Sequence, residues 1–123
     1  MFAFFTTNEA NTALPDVIKK FEYSLAKNTE VKKIEQELQV SISNTHSFES
    51  YVNLKQKLNS AITKFYESVE LLENTGVIVK SIEQGLLDFP SKRFDEEVCL
   101  CWKYGETEIK FWHDKDSGFM GRK

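Results

Sequence analysis

The sequence predicts an α+β domain, a long antiparallel helical hairpin followed by a three- or four-stranded antiparallel β-meander. Three observations predict it. Apolar residues recur at intervals of three and four up to Leu72, Gly76 then marks a change to a period near two, and Gly105-Glu106 separates two alternating segments as a hairpin turn would. At 123 residues the chain fits one domain, 1–123, with the hairpin over 7–76 and the meander and C-terminal loop over 77–123.

The first helix begins near Thr7. Thr6 can cap the amide of Glu9 while the Glu9 carboxylate reaches back to the Thr6 amide, the reciprocal arrangement of a capping box. Pro15, about two turns in, removes a backbone hydrogen bond and crowds the turn before it, which predicts a kink or a short first helix. Ile18, Phe21 and Leu25 then continue the stripe, and Val31, Ile34 and Leu38 resume it after the polar patch of Lys27 to Glu30.

Ser41 to Ser47 carries no period and reads as the connection between helices, with Ser47 capping the second. From there Tyr51, Leu54, Leu58, Ala61, Ile62, Phe65, Val69 and Leu72 form a wide apolar face. Gly76 ends it in the left-handed conformation.

Val77-Ile78-Val79 is β-branched, Glu83-Gln84-Gly85 reads as a tight turn, and Leu86 to Phe89 as a short returning strand stopped by Pro90. Val98 to Tyr104 and Thr107 to His113 then flank a two-residue turn at Gly105-Glu106. That turn pairs Lys103 with Glu108, Cys99 with Trp112 and Val98 with His113. Val98, Leu100, Trp102, Ile109, Phe111 and His113 therefore face the helices, and Cys99, Cys101, Glu108, Lys110 and Trp112 face away.

Hydrophobic content of 41% and charged content of 28% are those of an ordinary globular chain. The net charge is −3, and Pro90 to Lys123 holds seven residues of each sign, so no basic face is available for nucleic acid or an anionic membrane. The MFAFF start is too short for a signal peptide and no other stretch is long enough to span a bilayer, which predicts a cytoplasmic protein with reduced cysteines.

Phe5-Thr6, Glu9-Ala10-Asn11, Leu14-Pro15, Gly85-Leu86, Asp88-Phe89-Pro90-Ser91, Leu100-Cys101-Trp102, Gly105-Glu106, Glu108, Trp112-His113, Gly118-Phe119 and Gly121-Arg122 resemble the prokaryotic DUF2203 family over nearly the whole chain. The resemblance implies no activity, because that family is uncharacterised. Cys99 departs from it, standing where a Tyr is more usual.

Cys99, Cys101 and His113 invite a zinc or thiol-redox reading, since thiolate and imidazole are preferred zinc ligands. The predicted register sets His113 on the opposite face from both thiols, and no metal is assigned. His113, Asp114, Asp116 and the loop to Arg122 form the stronger group. A histidine at a strand end can act as acid or base or satisfy a carbonyl, and Arg122 offers a planar fork for carboxylate or phosphate, or pairs with Asp88 or a helix carboxylate. Glu106 and Glu108, beside a turn, read as solvated, as does His46 in the interhelical loop.

Two functional readings follow. In the first, the protein is an interaction or scaffold module that forms a homodimer through its helical hairpin, with Phe21, Tyr23, Tyr66 and the MFAFF start as further candidates for an interface. In the second, it is a small-ligand protein or an enzyme. Its site then lies beneath the C-terminal loop and binds a small anionic ligand through Arg122 and His113, with Trp112 or Trp102 as wall, Asp88 and Glu9 as carboxylates, and His113 as the candidate catalytic group. The sequence assigns no cofactor.

Overall fold

The computed structural model describes residues 4–43, 47–115 and 117–123. Two helices, α1 (Thr7–Ser43) and α2 (Phe48–Glu73), are followed by β1 (Ile78–Ser81), β2 (Leu86–Arg93), β3 (Glu96–Lys103), β4 (Phe111–Asp114) and a 3-10 turn, η1 (Phe119–Gly121). The strands form one antiparallel sheet in the order β1-β2-β3-β4.

The capping box forms as the sequence predicts. Thr6 N donates to Glu9 Oε1 at 2.9 Å and Glu9 N to Thr6 Oγ1 at 3.1 Å. Pro15 does not shorten α1, which runs on as a single 37-residue helix. Leu14 and Val17 on either side of the proline are buried against the sheet, and that packing outweighs the one hydrogen bond Pro15 cannot donate. Ser47 caps α2 by accepting from Ser50 N at 3.1 Å. Of the expected connection, Ser41 to Ser43 belong to α1, and His46 lies outside the described residues.

Two apolar clusters divide the hairpin. The larger joins Leu14, Val17 and Phe21 of α1 and Leu72 of α2 to Leu87, Phe89, Leu100 and Trp102 of the sheet. Phe21 meets Trp102 edge-on at 5.4 Å, so it belongs to this core and not to a free interface. The smaller cluster, Ile34, Leu38, Leu58 and Ala61, contains helix residues only. The hairpin is therefore a base held on the sheet and an arm held by its own seam.

Gly85 needs to be glycine twice over. Its φ is +70°, and a Cβ there would lie 2.6 Å from the Cβ of Tyr104.

β2 does not stop at Pro90 but continues to Arg93, with Pro90 opposite Cys99. The Pro90 carbonyl accepts from Phe5 N at 2.7 Å. In a strand the N and C=O of one residue point to the same side, so the missing N–H faces the N-terminal segment and leaves the β2–β3 ladder whole.

The last hairpin differs from the predicted one. Residues 104–110 form a wider connection: Trp102 Nε1 donates to Glu106 O, Lys103 N to Glu106 Oε1, and Ile109 N to Asn11 Oδ1 at 2.7 Å. Cys99 then pairs with His113 and Cys101 with Phe111, one residue out of the expected register. Because side chains alternate faces, that slip turns the whole of β4 over. Phe111 leaves the helical face, Trp112 joins it, and His113 comes round to the face of the cysteines. Glu108, expected opposite Lys103, pairs instead with Lys110 at 3.3 Å.

Candidate functional site

The sheet face turned away from the helices carries a buried polar cluster. Asp88 of β2 is the direct cross-strand partner of Cys101 on β3, and Cys99, two residues earlier, is the partner of His113 on β4. All four side chains are buried, and one ligating atom each from Asp88, Cys101 and His113 lies within 4.8 Å of the other two. Three neighbouring strands thus present oxygen, sulfur and nitrogen to one point.

The hydrogen bonds of His113 define its tautomer. Its Nδ1 lies 2.8 Å from the Asp114 carbonyl oxygen, which can only accept, so Nδ1 carries a hydrogen. Nε2 faces Asp88 Oδ1 at 3.0 Å. Asp88 Oδ2 is buried and finds no hydrogen-bond partner among the described residues, while the Lys80 ammonium stands 4.0 Å from it. Burial pushes the Cys101 thiol up to about 11, with the Asp88 charge raising it further and Arg122 opposing. Burial and then Asp88 raise Cys99 likewise, against Lys80 and Lys115.

The C-terminal turn folds across one end of this face. The Arg122 guanidinium lies 3.9 Å over the Phe111 ring and 4.7 Å from that of Phe119, and its Nη2 donates to Glu106 Oε2 at 2.6 Å. Its carboxylate partner is therefore Glu106, which the sequence reading left to solvent, and neither Asp88 nor a helix residue. Here a family model matches residues 3–123 under the description "Uncharacterized conserved protein (DUF2203)". The chain belongs to the DUF2203 family. Searches of the curated proteins and of the solved structures find no match.

Of the residues singled out in this DUF2203 chain, Asp88 and His113 come together, with Arg122 at the edge of the same face. Trp112 lies on the opposite face, packed against the main core with the Arg93 guanidinium 4.6 Å over its ring, and Trp102 is wholly within that core. Glu9 is exposed and engaged in the helix cap. Asp116 lies outside the described residues. Cys101 is the member that spacing alone did not join to His113. A register one residue away would have placed it there.

The arm is a second feature. Beyond the small seam it exposes Val40, Ile42 and Phe48, the last 80% accessible. Val40 lies between two open grooves, one also lined by Lys33 and Glu37, the other by Lys32 and Glu35. No helix among the described residues is long and apolar enough to cross a membrane.

Proposed function

We propose that this DUF2203 chain is an interaction module that self-associates through the arm of its helical hairpin. The observation that carries this reading is the exposure of Val40, Ile42 and Phe48 on a two-helix arm held together by a small seam of four buried apolar residues with Val31, Leu54 and Ile62 packed against it. A surface of that kind gains by being covered, since each large aliphatic or aromatic side chain taken out of water contributes about 1.5–3 kcal/mol. A second copy is the occupant the charges favour. Each groove beside Val40 carries a lysine and a glutamate; Lys32 already bridges to Glu83 and Glu37 to Lys57, which leaves Lys33 and Glu35 as the opposite charges that a two-fold related copy can set against each other.

Small anion binding at Arg122 ranks second because Glu106 already occupies its guanidinium.

Sedimentation equilibrium tests the first reading. The expected result is a dimer that becomes a monomer in a folded Val40→Glu, Phe48→Ser double variant. A wild-type protein that stays monomeric at tens-of-micromolar concentration overturns it, and so does a dimer that the double variant leaves intact.

A further inference from the structure

The cluster on the far face of the sheet has a feature that hydrogen bonding alone leaves unexplained. With Nδ1 of His113 committed as a donor to the Asp114 carbonyl, Nε2 of a neutral ring presents a lone pair to Asp88 Oδ1, an acceptor, at 3.0 Å. Either a proton or a metal ion between the two satisfies both atoms. A proton shared by the two serves Oδ1 and Nε2 but leaves Asp88 Oδ2 buried without a hydrogen bond, the Lys80 ammonium standing 4.0 Å away, while the Cys101 sulfur lies within 4.8 Å of a ligating atom of each partner.

We propose that Asp88, Cys101 and His113 bind one divalent transition-metal ion, zinc being the chemical fit, through a carboxylate oxygen, Sγ and Nε2. The donor set combines the three ligand types zinc takes, and bonds of about 2.0–2.3 Å at tetrahedral angles set ligand atoms roughly 3.3–3.8 Å apart. The separations within the cluster, all below 4.8 Å and 3.0 Å at the closest oxygen and nitrogen, close on that geometry with small side-chain adjustments. The supporting shell is already in place. A ligating histidine usually donates its other ring nitrogen to a carbonyl or carboxylate, which is the bond Nδ1 makes to Asp114.

Binding forms the metal–sulfur bond as the Cys101 S–H proton leaves to solvent, and the metal accepts the lone pair of Nε2. Three protein ligands leave a fourth position for an oxygen donor such as water. Cys99 lies next to His113 across the strands but outside the group of mutually close atoms, so it is not a ligand. The site does not depend on self-association, because all three ligands come from one sheet.

Cobalt(II) added to the reduced, metal-free protein reports directly on sulfur ligation. Wild type should bind one equivalent, show a thiolate-to-cobalt charge-transfer band, and lose it when zinc is added. Cys101→Ser should abolish the band and Cys99→Ser should retain it, each variant being checked for folding by circular dichroism. Absence of the band in wild type, its survival in folded Cys101→Ser, or its loss in folded Cys99→Ser overturns the proposal. If either variant does not fold, X-ray absorption of zinc-loaded wild type decides: one sulfur among nitrogen and oxygen neighbours supports the site, and none or two overturns it.

Discussion

Nε2 of His113 lies 3.0 Å from Oδ1 of Asp88, with the two side chains 1% and 3% exposed. Such a contact is costly to break from one side, because the partner left behind keeps its polarity and loses its counterpart. In the presence of a chelator, His113→Ala should lower the unfolding free energy by about 3–5 kcal/mol in urea titration. A loss under 1 kcal/mol would show that water reaches the pair.

The raised Cys101 thiol makes alkaline stability a readout of the same face. Its folded value of about 11 lies above the ordinary 9.0, so the folded state holds the proton more tightly than the unfolded chain. That contribution is complete below pH 9 and is lost as pH rises towards 11. Metal-free wild type should therefore lose stability across that window, and Cys101→Ala should lose less of it. Equal slopes in thermal melts of the two proteins would contradict the assignment.

Asn11 ties the connection of residues 104–110 to α1, accepting from Ile109 N at 2.7 Å and donating to Ile109 O at 3.4 Å. Ile109 is buried, so Asn11→Ala leaves its amide unsatisfied at a cost of about 1–3 kcal/mol. Denaturant unfolding measures the cost. Hydrogen exchange should show the Ile109 amide losing protection before those of β2.

The two residues between β2 and β3, Phe94 and Asp95, have φ of 51° and 66°. A bulky residue is poorly suited to that conformation, and Phe94 is 91% exposed, so its ring recovers little by burial. Phe94→Asn should raise stability by about 1 kcal/mol, visible as a higher Tm. An unchanged or lower Tm would show that the Phe94 contact with the Arg93 guanidinium, 5.7 Å from its ring, matters more than the turn.

The helical hairpin, the change of period after Gly76 and the antiparallel meander were legible because each is written in local spacing. Two misreadings had one cause. Pro90 looks like a strand terminus until the position of Phe5 shows which side its missing N–H faces. Gly105-Glu106 looks like a two-residue turn until Asn11 captures Ile109 and Trp102 reaches the Glu106 carbonyl, drawing the connection wider. Both depend on partners 85 and more residues distant, or on a side chain bonding back to the main chain, and neither leaves a mark on the strand's own alternation. The candidate site suffered most, because a slip of one residue decides whether His113 faces Cys101.

The stitches between the two ends of the chain also have a kinetic meaning. α1 packs chiefly with α2, and each strand pairs with its neighbour in sequence, so the hairpin and the meander can each form from nearby contacts. Phe5 to Pro90 and Asn11 to Ile109 span most of the chain. They can close only when the two halves dock, and that step carries the loop-closure entropy of the fold. A nascent chain emerging from the ribosome would hold a finished helical hairpin whose apolar base stays uncovered until the sheet, synthesised after it, arrives to seal it.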